Sequence, residues 1–278
     1  MNPRRRLLRR ILLAFASVAI VPYSITVLAA ALFYRNLLYP APAQFPSDVP
    51  AGAELIEARA SDGVNVRALM FRGQEGAPVA VYFHGNGETM GHDVWIAREL
   101  LRRGLGVVLA EYRGYGLSQA EAGPTEQGLY ADAHAVIEAV LARGVARDRM
   151  VLVGHSLGTG VATEMARRAR YRAVALVSPY TSIVDMARRS APPIFPVSLI
   201  VRDRFDTLSK APNVDAPVLV VHGASDGFIP LPMGQRVCDA FPHCEMMVVQ
   251  GGHHGDVMAV EPDRVFGGIV ALSAPGRQ

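Results

Sequence analysis

Residues Val151 to Gly160 read Val-Leu-Val-Gly-His-Ser-Leu-Gly-Thr-Gly. A β-branched apolar run stops at Gly154, and the Gly-x-Ser-x-Gly pattern leads into a helix-compatible segment. The spacing predicts a buried strand, a sharp turn with Ser156 at its tip, and a helix starting at Leu157. Such a turn puts the serine at positive φ, costly for a residue with a side chain. It also brings neighbouring backbone so close that only glycine fits two positions on either side. The hydroxyl then stands at the carboxyl end of a strand with the helix's first N–H groups nearby, which suits a nucleophile whose tetrahedral intermediate carries an oxyanion. A serine that merely caps a helix produces the same five-residue pattern, so its surroundings decide.

Outward from this stretch, further short apolar runs lie at Val79 to Phe83, Gly106 to Glu111, Ala173 to Val177, Pro217 to Val221 and Glu245 to Val249. Helix-length segments separate most of them: Asp93 to Arg103, Glu126 to Arg143, Leu157 to Arg170, Leu231 to Phe241 and Val257 to Leu272. Strands that are apolar throughout and alternate with helices predict a parallel sheet covered on both faces. Ahead of them, Glu54 to Ala60 and Val64 to Arg72 flank Ser61-Asp62-Gly63, a hairpin pattern with Asp-Gly at the turn. In sheets of this kind reactive groups gather at the carboxyl ends of the strands.

Three strand ends carry candidate chemistry. Tyr82-Phe83-His84-Gly85-Asn86-Gly87 ends one of them, and its glycines permit a tight turn with N–H groups free to face an anion. The N–H groups of Asn86 and Leu157 are therefore the candidate oxyanion hole. His84, packed beneath that turn, reads as structural, and Glu111 with Arg113 in the next strand's loop as a structural ion pair. Asp226 follows the strand ending near Gly223, and a doubled histidine, His253-His254, follows the strand ending at Val249. Serine, aspartate and histidine thus occur in the order that lets three strand tips meet, with the imidazole as general base and the carboxylate steadying it.

The amino terminus differs from all this. Ile11 to Tyr34 spans 24 residues without a charge, about 36 Å as a helix and enough to cross a bilayer. Pro22 inside it is expected to bend it. Arg4, Arg5, Arg6, Arg9 and Arg10 precede it and only Arg35 follows closely, which places the amino terminus in the cytoplasm and the remainder outside it. Ala29-Ala30-Ala31 would suit signal cleavage, but the apolar stretch exceeds the about 7–15 residues of a signal core, so a retained anchor is the reading taken. Taking those five arginines from the net charge of +3 leaves −2, no basic excess to attract nucleic acid. Pro40 to Pro50, rich in proline, reads as an extended linker. Cys238 and Cys244 either pair across a helix-to-strand turn or remain buried thiols, and they lack the spacing of a zinc site.

Taken together, Tyr39-Pro40, His84-Gly85-Asn86-Gly87, Tyr112-Arg113-Gly114-Tyr115-Gly116-Leu117-Ser118, Gly154-His155-Ser156-Leu157-Gly158, Ser178-Pro179-Tyr180-Thr181-Ser182, His222-Gly223-x-x-Asp226 and Gly251-x-x-His254-x-Asp256 resemble the α/β-hydrolase superfamily. Within it the chain is similar to the membrane-anchored, serine aminopeptidase-like branch. Gly255 stands where that branch usually has asparagine. Position relative to Gly251 and Asp256 selects His254 over His253. The resemblance implies an ester, thioester or lipid-ester hydrolase with catalytic Ser156, Asp226 and His254 and neither metal nor organic cofactor. A serine peptidase or a noncatalytic interaction module is the alternative.

The expected organisation is a basic tail (1–10), a membrane anchor (11–34), a linker (35–52) and an α/β-hydrolase domain (53–278) whose mostly parallel sheet has about eight strands. A short cap is expected over 180–216, where Pro192 to Val201 forms a proline-broken apolar lid. Such a lid suits an acyl chain entering from lipid, or ordinary packing over the core. The expected substrate is a small-molecule or lipid acyl ester, the membrane is an expected partner through the N-terminal helix, and nucleic acid is not.

Overall fold

The apolar runs pair into one sheet of eight strands in the computed structural model, which describes residues 3–42, 49–118, 120, 121 and 123–274. Helix α1 (Pro3–Leu38) comes first, followed by the hairpin β1 (Ala53–Arg59) and β2 (Asn65–Phe71), then β3 (Val79–Phe83), α2 (Val94–Arg102), β4 (Gly106–Ala110) and α3 (Glu126–Leu141). The centre of the chain supplies β5 (Met150–His155), α4 (Leu157–Arg168) and β6 (Ala173–Val177). Three short helices, α5 (Ile183–Ser190), α6 (Val197–Ile200) and α7 (Thr207–Lys210), form the cap before β7 (Val218–Gly223), α8 (Leu231–Ala240) and β8 (Cys244–Val249). Two helices end the described chain, α9 (Val257–Val260) and α10 (Pro262–Leu272). Pro262 has no N–H to continue a helix, and it divides the expected Val257 to Leu272 segment in two.

The sheet order is β1-β2-β4-β3-β5-β6-β7-β8. β1 and β2 pair antiparallel at one edge, β2 meets β4 antiparallel, and every other pairing is parallel. Alternate strand residues feed two cores. Val81, Leu152, Leu176 and Val220 pack with Val136 of α3 and Val161 of α4, whereas Tyr82, Val153, Ala175 and Val221 pack with Ile96 of α2 and Phe266 of α10. Burial on both faces explains why these strands are apolar throughout instead of alternating. Parallel register aligns the carboxyl ends: Phe83 lies opposite Gly154, His155 opposite Val177, and Gly223 opposite Val249.

Helix α1 runs through Pro22 and continues four residues beyond the expected end at Tyr34. Residues 43–48 of the expected linker lie outside the described residues. From Ser17 to Leu38 the helix is long and apolar enough to cross a membrane. Its last turns dock on the cap, where Arg35 Nε meets Asp203 Oδ2 at 2.7 Å and Tyr34 donates its hydroxyl to the same oxygen at 2.9 Å. Cys238 and Cys244 are disulfide-bonded across the turn from α8 to β8, with Cα atoms 5.5 Å apart.

One expected pairing is corrected. Glu111 and Arg113 do not pair with each other: Glu111 Oε1 lies 2.8 Å from His84 Nε2, while Arg113 reaches Asp132 of α3 at 2.7 Å and Asp62 at 2.5 Å. β4 ends at Ala110, and the turn closed by Tyr115 N–H on Tyr112 O carries Arg113 away from Glu111 and toward α3. Arg113 and Asp132 are both buried. Arg113→Leu leaves the Asp132 carboxylate desolvated without its cation, and denaturation should register a loss of roughly 3–5 kcal/mol. Arg113→Leu/Asp132→Leu should lose less than the single variant, because no charge is then stranded.

Candidate active site

Ser156 sits between the end of β5 and the start of α4 at φ 49° and ψ −117°, and its N–H donates to Val177 O at 2.9 Å. The glycines permit this. A Cβ on Gly154 would lie 2.5 Å from Gly158 O, and one on Gly158 would collide with the carbonyl of Phe83 at the tip of β3. The turn, the first turn of α4 and β3 are therefore packed backbone to backbone.

Ser156, His254 and Asp226 are brought into one hydrogen-bonded line. His254 Nε2 lies 3.0 Å from Ser156 Oγ, and His254 Nδ1 lies 2.9 Å from Asp226 Oδ2. An ionised Asp226 only accepts, so Nδ1 carries the hydrogen and Nε2 accepts from the serine hydroxyl. The other carboxylate oxygen accepts from Phe228 N–H at 3.0 Å and Ile229 N–H at 2.8 Å. Burial raises the Asp226 pKa, but the hydrogen bonds from His254 and Ile229 outweigh it and hold the carboxyl below its ordinary value. His253, the neighbour of His254, turns the other way and places Nδ1 3.0 Å from Ser225 O. Asn86 and Leu157 stand beside Ser156 on the wall of the same cavity. His84, Tyr112 and Tyr115 brace the Asn86 turn from below: Tyr112 donates to His84 O at 3.2 Å and Tyr115 to Asn86 O at 3.1 Å.

A buried polar layer lies beneath the line. His155 stacks on His254 with ring centroids 5.6 Å apart, places Nε2 3.3 Å from His254 O, and meets Glu88 through Nδ1 at 3.0 Å. Burial opposes charge on both partners, yet their mutual attraction wins. The Glu88 carboxyl falls to about 2 and the His155 imidazole rises above its ordinary value. Nearby Asp93 is buried, and burial together with the Glu88 charge pushes its carboxyl up to about 7. His222, directly under Asp226, donates from Nε2 to Ile229 O at 2.8 Å, and burial lowers its pKa, which keeps it neutral.

The cavity in front of Ser156 encloses about 250 Å³. Its apolar wall comes from the cap (Ile183, Met186, Val201), from Phe228 and from the last turns of α1 (Tyr34, Leu37 and Leu38). The sequence carries no local sign that α1 borders the site, since that contact exists only once the helix lies against the cap. Phe228, whose ring packs 5.0 Å from that of His254, was within reach of the sequence as an aromatic two residues after Asp226.

The parallel sheet, the strand-to-helix serine turn and the aligned strand tips define the class: this chain belongs to the α/β-hydrolase superfamily. Residues 74–205 match the family described as serine aminopeptidase, S33. The chain is 30% identical over 254 residues to the Mycobacterium tuberculosis protein Rv2307c, covering 89% of each. It is 31% identical over 190 residues to lysophosphatidylserine lipase ABHD12 of Danio rerio, 60% of this chain and 48% of that protein. The Pyrococcus furiosus esterase Pf2001 shares the fold with a TM-score of 0.70 at 16% identity, over 84% of this chain and 97% of its own.

Asp93 supplies a test of the polar layer. Its folded pKa lies above the ordinary value, so its contribution to stability is full below about pH 4 and is lost as pH rises through about 7. Asp93→Asn, which cannot ionise, should therefore be more stable than the native chain at pH 8. That advantage should shrink steadily toward pH 4, as read from melting temperature against pH.

Proposed function

We propose that this hydrolase is a serine esterase or thioesterase working through an acyl-enzyme, with Ser156 as nucleophile, His254 as general base and Asp226 as its orienting carboxylate. The observation that carries the reading is the unbroken line of Ser156 Oγ, His254 and Asp226 at 3.0 and 2.9 Å. Ser156 Oγ attacks the acyl carbonyl while its proton passes to His254 Nε2, and the resulting oxyanion takes hydrogen bonds from the N–H groups of Asn86 and Leu157. Collapse breaks the bond to the alcohol or thiol, which leaves with the proton from His254. Water, deprotonated by the same nitrogen, then releases the acid and restores Ser156. Asp226, held ionised by its hydrogen bonds, stabilises the imidazolium formed in both halves.

An acyl chain suits the cavity wall, which is apolar on the cap, α1 and Phe228 sides. The lipase activity in the name of the Danio rerio relative points the same way. No acidic side chain lines the cavity among the described residues, so a free amino terminus has no counter-charge there, and ester or thioester cleavage is preferred to aminopeptidase chemistry. The helix α1 is read as a single membrane span, with its amino-terminal arginines in the cytoplasm and the catalytic domain outside. The Cys238–Cys244 disulfide is consistent with an oxidising compartment.

Ser156→Ala should lower hydrolysis of p-nitrophenyl butyrate by roughly 10⁴-fold or more and abolish fluorophosphonate labelling, and Asp226→Asn should lower turnover by roughly 10³- to 10⁴-fold. Labelling that persists in Ser156→Ala would remove Ser156 from the mechanism, and a cellular role that survives the substitution would favour a noncatalytic interaction module. For orientation, alkaline phosphatase fused after Gln278 should be active in a bacterial host. An inactive fusion would place the domain in the cytoplasm.

A further inference from the structure

The contact between α1 and the cap reaches far along the helix. Tyr23 donates its hydroxyl to Ile194 O at 2.7 Å, and its ring meets Phe195 edge-on at 6.2 Å. Val197, Ile200 and Val201 pack against Val27, Ala30 and Tyr34. About 20 residues cross the hydrocarbon, so a span counted from Ile11, just after the arginines, ends near Ala30. Tyr23, seven residues further in, then lies about 10 Å below that boundary at 1.5 Å per residue. Whatever touches Tyr23 lies at that depth too.

We propose that the cap segment 191–201 is itself immersed in the bilayer beside α1, so that the cavity at Ser156 opens onto lipid and draws its acyl substrate from the membrane. This rests on reading α1 as a span and the chain as an acyl hydrolase. The segment is built for a dry environment. It contains no charged residue, and it leaves Ile194 74% and Leu199 80% exposed, side chains that water would not favour. Unpaired backbone donors are costly in hydrocarbon, and this segment has few. Pro192, Pro193 and Pro196 have none, while the N–H groups of Phe195, Val197, Leu199, Ile200 and Val201 all donate within the segment. Exposed Arg188, Arg189, Arg202 and Arg204 flank it in sequence. Arg188 donates to Ser198 Oγ at 2.6 Å and Arg204 to Ser198 O at 3.4 Å, so these guanidinium groups gather on the Ser198 side of the segment, the side left to meet lipid phosphates. Val201 belongs both to this segment's packing on α1 and to the cavity wall, and Tyr34 and Leu37 of α1 line the same cavity. The route from the acyl layer to Ser156 is therefore bounded by apolar side chains of both elements.

The test uses the full chain in phosphatidylcholine vesicles with brominated acyl chains. Trp95 is the only tryptophan, so single tryptophans are placed in a Trp95→Phe background by Ile194→Trp, Leu199→Trp, Ile25→Trp on the exposed side of α1, and Ala146→Trp just before β5, at the amino-terminal end of that strand. Emission from the two cap positions should fall roughly two-fold or more on bromination, as for Ile25→Trp, with no change for Ala146→Trp. Quenching of Ile25→Trp without quenching at either cap position would overturn the proposal, and loss of quenching at Ile25→Trp would overturn the span on which it rests. In a second arm, Ile194→Asp/Leu199→Asp should lower hydrolysis of a long-chain ester dissolved in vesicles about ten-fold while leaving a short soluble ester unaffected. Equal rates on the vesicle ester would count against delivery from lipid. Absence of hydrolysis of either ester by the native chain would sink the hydrolase reading, and the quenching would still judge the insertion.

Discussion

The close approach of backbone at the Ser156 turn sets the spacing of everything around it. Ser156 adopts φ 49°, a region where a side chain meets its own backbone, and it is kept there because Gly154 contacts Gly158 and Gly158 contacts Phe83 with no Cβ between them. Those contacts tie β5, α4 and the end of β3 into one rigid corner. With Ser156 N–H on Val177 O, β6 joins the same corner. The hydroxyl is thus positioned by secondary structure on all sides, and only Asp226 and His254 have to be delivered by loops.

Those loops are themselves pinned. Asp226 closes a turn by accepting from two consecutive N–H groups, and the His254 ring is held between Phe228 on one side and His155 on the other. Below lies a cluster of titratable side chains, most of them buried. Glu88 with His155 satisfies itself, and Glu111 has His84, but Asp93 shares their surroundings without a cation of its own. Charge in a low-dielectric layer is stable only where a partner is within a few ångströms, which is why neighbouring carboxyls in this layer move in opposite directions.

The apolar helix α1 is fastened to the domain through a buried carboxylate. Asp203, buried in the cap, takes Arg35 and Tyr34 of α1 and also accepts from Glu126 N–H at the start of α3. One carboxylate therefore joins the carboxyl-terminal end of α1, the cap and the main domain. The last turns of α1 complete the cavity wall beside Ser156. Helix α1, cap and site form one continuous apolar surface, fastened by polar contacts at Asp203.

Local chemistry is what the sequence alone determined. Uninterrupted apolar strands, the Asp-Gly hairpin, the glycines around Ser156 and the charge-free helix were legible because each depends on sterics or hydrophobic period within a few residues. The chain order of Ser156, Asp226 and His254 was legible because a parallel sheet sends every such strand tip to one edge. Tertiary structure decided the rest. Glu111 and Arg113 stand two residues apart, yet a turn sends them to different partners; His253 and His254 are adjacent, yet only one faces Ser156. Cys238 and Cys244 are joined because α8 and β8 bring their Cα atoms to 5.5 Å. The place of α1 at the cavity was invisible in the sequence for the same reason: it depends on which surface of a distant cap that helix covers, and no local pattern encodes it.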